Sequence, residues 1–262
     1  MNEDIRPIVD DWPYRPGKIS VRKVVGEAGR PKIQMRLDLG LIQMEPTGRP
    51  DGKRPEGFES LLSYHQDRLE KFRRKHRTEL GFELSPEECR KLREESLMYY
   101  HRYLSCFILE DYDQVIRDTQ RNVELFDLCN RYAAKKADRM MLEQYRPYVI
   151  MMNTRAKAHR AMDNDEYARA LTIIKAGLKA IKKIYVDIDQ TEDFKLSMEA
   201  TTLRQLGRRI RRKLPVDEET VLERKLRKAV SLEQFEEAAR LRDRLERMKH
   251  NEENQQEDSG PK

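Results

Sequence analysis

The residue types that carry chemistry are scattered in this chain. His65, His76, His101, His159 and His250 are dispersed along it, and no HExxH, GxSxG, phosphate-binding P-loop or GxGxxG arrangement accompanies them. His101 and His159 fall beside apolar stripes, where a packed, neutral imidazole is the favoured reading. Cys89, Cys106 and Cys129 are far apart and form no CxxC pair, so they fail the spacing of a structural zinc site. An odd number of unpaired cysteines points instead to buried thiols in a reducing, cytoplasmic setting. The expectation is no enzyme, no metal and no cofactor.

Two basic runs are the next candidates. Arg68, Lys71, Arg73, Arg74, Lys75, His76 and Arg77 end one helical stretch, and Arg208, Arg209, Arg211, Arg212 and Lys213 end another. On one face, such clusters would neutralise several phosphates. The second run also sits at a helix C-terminus, where the dipole favours cations without any ligand. Tyr99, Tyr100 and Tyr103 have the spacing of core residues rather than of base-stacking platforms. Nucleic-acid contact through Arg208, Arg209, Arg211, Arg212 and Lys213 is therefore the alternative reading, not the favoured one.

The strongest pattern lies at 221–249, VLERKLRKAVSLEQFEEAARLRDRLERMK. Leu222, Leu226 and Ala229 repeat at helical spacing, and a second stripe runs through Ala238, Leu241, Leu245 and Met248. The spacing predicts a helical hairpin, with Ser231 as the N-cap of its second helix and Asp217 as the cap of its first. Ala238 and Ala239 are small enough for close approach, and Phe235 is placed to plug the crossing. The run Phe235-Glu236-Glu237-Ala238-Ala239-Arg240-Leu241-Arg242-Asp243 resembles the FExAAxLRD signature of the UVR motif family. That family includes segments of UvrB and UvrC, McsA-type adaptors and ClpC-type chaperones.

The resemblance implies a non-catalytic adaptor or scaffold that docks a partner protein through this hairpin; the alternative is an accessory factor of DNA (nucleotide-excision) repair that contacts nucleic acid through the basic helix ends. The docked partner would be another UVR-bearing protein, a chaperone–protease subunit or a second copy of the chain. Leu222, Leu226, Phe235, Ala238, Ala239, Leu241 and Leu245 would then be apolar contacts, with Arg242 and Asp243 as a polar clasp. The paired CxxC motifs of McsA, the helicase motifs of UvrB and the nuclease signatures of UvrC are all missing here.

The remaining elements are those that must carry this hairpin. Charged residues make up 38% of the 262 residues, and Lys and Arg exceed Asp and Glu by 53 to 47, a mild bias on densely interleaved, solvated helix faces. No stretch is apolar enough to span a membrane, and no secretory signal is visible. Residues 1–17 read as an extended arm. Residues 18–57 read as a small β element and loop, with Ile33, Met35, Leu37 and Leu39 alternating and a third short strand at Leu41–Met44. The Pro- and Gly-rich loop at 45–57 reads as a rigid cap on the first helix.

Residues 58–214 carry helical periods. Ser85-Pro86-Glu87-Glu88 marks one helix start, and Pro147 predicts a kink. A single helix is expected over 191–213, with Leu196 on its apolar side. The opening at Asp111-Tyr112 is echoed at Glu166-Tyr167, which resembles tetratricopeptide (TPR-like) hairpins. Residues 216–249 form the docking hairpin, and 250–262 read as a disordered tail. The expected class is mainly α: TPR-like helical hairpins with a small N-terminal β-hairpin and a C-terminal UVR helical hairpin.

Overall fold

The structure, a computed structural model, describes residues 4–214 and 218–257. The chain forms two compact units, Met1–Arg211 and Arg212–Lys262. Its architecture is mainly helical, with a small antiparallel sheet near the N-terminus.

The first unit opens with α1 (Arg6–Val9), a single turn with Pro7 in its first turn, where an extended arm was expected. The arm folds back on the sheet: the Arg22 guanidinium lies 4.2 Å from the Trp12 ring centroid, and Arg36 Nε donates to the Trp12 carbonyl at 2.8 Å. Strands β1 (Val21–Val25), β2 (Pro31–Arg36) and β3 (Leu41–Met44) pair in that order. Their register sets Val21 opposite Met35 and Ile33 opposite Met44. Ile33, Met35 and Met44 form the buried face. The alternation stops at Arg36, short of the expected Leu37 and Leu39. Arg36 gathers the carbonyls of Leu37, Asp38 and Gly40, and Leu37 N donates to Gly40 O, closing a turn that leaves Leu39 exposed.

The loop after β3 is held from the helical body. Arg102 donates to the carbonyls of Gly48 (2.6 Å) and Glu45 (3.2 Å), while its other edge grips Asp118 through two bonds of 2.8 and 2.7 Å. Gln114 Nε2 adds a third bond to Asp118 at 2.8 Å. A buried ion pair is stabilising only when its remaining donors and acceptors are satisfied, and here the loop carbonyls do that. Fully buried Glu95 accepts from the Leu61 and Leu62 amides at 2.8 and 3.2 Å, capping α2 (Leu61–His76) with a negative charge where the helix dipole favours one.

Helix α3 (Pro86–Ile108) starts in a full capping box between Ser85 and Glu88, as the sequence predicts. It packs on α4 (Tyr112–Tyr132). After α5 (Lys136–Met141), helix α6 (Arg146–Asp163) packs on both α4 and α7 (Tyr167–Asp187). Pro147 does not kink α6. It occupies the first turn, where its missing N–H leaves no bond unmade. The expected helix at 191–213 is two: α8 (Thr191–Leu196) and α9 (Met198–Arg211). Ser197 takes an extended ψ of 139°, and its hydroxyl accepts from Ala200 N at 3.2 Å, which restarts the helix and leaves Leu196 84% exposed. Helix α9 closes the layer against α6 and α7. Close approach is set by small residues: a Cβ on Gly177 of α7 would sit 2.3 Å from Thr154 Oγ1 of α6.

The second unit is a hairpin of α10 (Glu218–Ser231) and α11 (Phe235–Glu257). Ser231 is the last residue of α10, not the cap of α11; its hydroxyl donates back to Lys228 O at 2.8 Å. Helix α11 runs on to Glu257, through part of the expected disordered tail, because Glu and Gln there sustain a helix by propensity alone. Asp217 and residues 258–262 lie outside the described residues, as does the side chain of Met248.

Candidate docking hairpin and basic faces

One turn recurs through both units. Glu110 (φ 60°), Asp165 (φ 58°) and Glu233 (φ 55°) each take the left-handed conformation after a helix. The next amide reaches five residues back in each: Asp111 N to Cys106 O (2.9 Å), Glu166 N to Ala161 O (2.8 Å) and Gln234 N to Ala229 O (2.9 Å). This is the helix-ending arrangement usually supplied by glycine. An aromatic follows as the first residue of the next helix in these three: Tyr112, Tyr167 and Phe235. Asp189 (φ 57°) makes the same turn, with Gln190 N donating to Tyr185 O at 2.8 Å, but is followed by Thr191 at the start of α8. The echo between Asp111-Tyr112 and Glu166-Tyr167 is thus a shared backbone geometry, and the hairpin repeats it with Phe for Tyr.

The aromatic's surroundings differ among the three copies. Tyr112 stacks on His159 with ring centroids 5.1 Å apart and meets Phe107 edge-on at 5.7 Å. Tyr167 packs against the main core. Phe235 is 71% exposed, which corrects the expected plug at the crossing. The seam is filled without it: Leu222, Ala229, Ala238, Leu241 and Leu245 are buried between α10 and α11, with Leu226 half-buried beside them. Of the expected contact residues, Leu222, Leu226, Ala238, Leu241 and Leu245 therefore lie in the hairpin's own seam. Phe235, Ala239, Arg242 and Asp243 are exposed.

Phe235, Ala239, Arg242 and Glu246 follow the i, i+4, i+7, i+11 spacing of one helix face. Arg242 reaches Asp243 at 3.6 Å and Glu246 at 4.0 Å. Val230 and Leu232, which sequence reasoning did not single out, are both exposed at the turn next to Phe235. Val230, Leu232 and Phe235 are thus exposed apolar side chains close in sequence at the hairpin turn, and Arg242 and Glu246 lie farther along the Phe235 face. Burying a side chain of this size is worth roughly 1.5–3 kcal/mol, and edge charges act mainly on partner choice and association rate.

The two basic runs are unequal. In the first, Lys71 pairs with Asp67 (2.7 Å), Arg74 with Glu70 (2.9 Å), Arg68 with Glu88 and Arg73 with Glu79. Most of that cluster is neutralised within the fold. In the second, Arg208, Arg209 and Arg211 are exposed at the last turn of α9, and Arg212 and Lys213 are exposed just beyond it.

The titratable groups behave as packing residues. His65 is 2% exposed, and burial holds its pKa down to about 4, with Arg68 assisting and Glu88 opposing. Burial also lowers His101 and His159. Burial pushes the Cys106 thiol up to about 12. Cys89 and Cys129 share a thiol hydrogen bond that lowers the first and raises the second. Tyr100, Tyr103 and Tyr148 line a groove of about 590 Å³ closed by Phe126, Val149 and Glu199. Among the described residues, no helix is long and apolar enough to cross a membrane, and no group of three His, Cys, Asp or Glu is placed to hold a metal.

No curated protein and no solved structure matches the chain. Residues 220–251, the segment that builds the α10–α11 hairpin, match the UVR family, described as the UvrB/uvrC motif.

Proposed function

We propose that this chain is a non-catalytic adaptor that docks a partner protein through the α10–α11 hairpin. The observation that carries this reading is the exposure of Phe235 in a turn whose other two aromatics, Tyr112 and Tyr167, are half-buried against the core. A hairpin that fills its own seam with Leu222, Ala229, Ala238, Leu241 and Leu245 keeps its shape, leaving the Phe235 face for another molecule. The match to the UvrB/uvrC motif supports a role linked to UvrB/UvrC-type interactions. The partner that fits is a second helical hairpin, on another protein or another copy of this chain, with an apolar acceptor for Phe235 and Val230. Its edge carries charges complementary to Arg242 and Glu246. The helical body of the first unit is the platform to which the partner is brought.

The test is Phe235→Asp in the full chain. A charge forced into an apolar contact weakens docking by at least a hundredfold, while circular dichroism and thermal midpoint stay those of the parent. Unchanged partner binding by the variant would overturn the reading.

A further inference from the structure

The whole positive surplus of the chain sits in one part of the fold. Residues 146–211 hold fourteen Lys and Arg against eight Asp and Glu, a surplus of six, equal to the net charge of the full sequence. Within that part, acids are confined to helix ends and connections. Helix α7 has no Asp or Glu between Tyr167 and Val186, and α9 has none after Glu199.

Lys175, Lys179, Lys182 and Lys183 are all exposed and fall on the face of α7 opposite buried Ala170, Ile174, Gly177 and Ile181. Several exposed cations elsewhere pair with acids one turn away, as in Arg90 with Glu87 and Glu94, Arg74 with Glu70, and Lys195 with Glu192. On α7 itself Lys175, Lys179 and Lys182 have no acid one turn away, and Lys183 has Asp187 four residues on without forming an ion pair with it.

We propose that this face of α7 binds the phosphate backbone of nucleic acid without regard to sequence. Lys175 to Lys183 span about 12 Å of helix axis at roughly 1.5 Å per residue, in steps of about 5–6 Å. A linear polyanion of regular, dense charge matches such a row, and neutralised phosphates release their counterions. The exposed residues before and between the lysines fix what the face reads. Ala168, Thr172, Ala176 and Ala180 are small, and the Thr172 hydroxyl is engaged with Ala168 O at 3.2 Å. Nothing there offers the paired donors and acceptors that read base edges, nor an aromatic for stacking. The row also lacks the Trp, Phe or Leu that seat a helix in a lipid surface. Arg208, Arg209 and Arg211 of the neighbouring α9 add to the local positive field. The inference stands on α7 alone and does not depend on the hairpin.

The test is fluorescence anisotropy of a labelled 20-base-pair duplex titrated with the full chain. Four phosphate contacts give a log–log salt slope near −3.6, so affinity falls roughly a hundredfold from 50 to 200 mM salt. Replacing Lys175, Lys179, Lys182 and Lys183 by Gln flattens the slope and removes most of the binding, at unchanged helical circular dichroism. A control replaces Lys71, Arg74, Arg90 and Lys195 by Gln, an equal loss of net charge at paired positions, and retains most of the binding. Equal loss in both variants, no duplex binding, or capture by anionic vesicles in place of the duplex would each overturn the proposal. Phe235→Asp leaves duplex affinity unchanged.

Discussion

Tyr112 and Phe235 hold the same position in the same turn, each the first residue of a helix two places after a left-handed Glu, yet Tyr112 stacks on His159 and Phe235 is bare. A sequence places both aromatics where they should be covered; only the fold shows which one is. Truncating them should separate the two roles. Tyr112→Ala removes ring contacts with Phe107 and His159 and is expected to cost about 2–4 kcal/mol of stability. Phe235→Ala is a surface change expected to lie within about 0.5 kcal/mol. Chemical denaturation of both variants checks this, and a large loss for Phe235→Ala would mean the ring is covered within the chain.

The recurring turn makes a second prediction. Glu110 sits at φ 60°, where an L side chain is disfavoured and glycine is not. Glu110→Gly is expected to raise stability by about 0.5–1 kcal/mol and Glu110→Val to lower it, since a β-branched residue tolerates this conformation least. Thermal midpoints of the two variants give the order directly; the reverse order contradicts the geometry.

The contact between α6 and α7 rests on Gly177. A methyl group there meets Thr154 at 2.3 Å, so Gly177→Ala should destabilise by about 1–3 kcal/mol despite its better helix propensity. Trimming the opposing side chain with Thr154→Ala should recover at least part of that loss. A double-mutant cycle is therefore expected to show coupling of about 1 kcal/mol or more. Strict additivity would place the close approach elsewhere.

Acid should weaken the first unit through His65. Its pKa is lowered from 6.5 in the unfolded chain to about 4 in the fold, so the neutral ring is the one that packs. Stability from this group is complete above pH 6.5 and is lost as pH falls towards 4, because the unfolded chain binds the proton first. Between pH 7.5 and 5 the loss from one such group is about 2 kcal/mol. Denaturation midpoints of the parent and His65→Gln should converge as pH falls through that window. A constant difference would show that His65 titrates normally.

Much of this fold is legible in the sequence where local chemistry decides it. The helix start at Ser85-Pro86-Glu87-Glu88 and the burial of Ile33 and Met35 follow from residue type and spacing, although Gln34 between them is buried as well. The misreadings arise where the backbone breaks without an obvious breaker. Ser197 divides α8 from α9 inside an unbroken helical period, and Ser231 reads as the cap of α11 although it closes α10, because the left-handed residue of that turn is Glu233 and not a glycine. Pro147 reads as a kink or interruption because nothing in the periodicity marks Arg146 as a beginning. In the hairpin, the seam residues Ala238, Leu241 and Leu245 are readable from spacing. Phe235 precedes them by one turn, but it sits beside the seam rather than in it. The charge asymmetry of α7 was hidden by a chain-wide balance of 53 to 47 and emerges only when the exposed face is separated from the buried one.

The central claim, that the hairpin docks a partner protein, is tested most directly by affinity capture from nuclease-treated extract. The intact chain is compared with one ending before Asp217, with bound proteins identified by mass spectrometry. The account predicts a protein retained by the intact chain, lost on truncation, indifferent to nuclease and lost again with Phe235→Asp. Identical captured sets from the intact and truncated chains would contradict it, and the hairpin would then have no docking role.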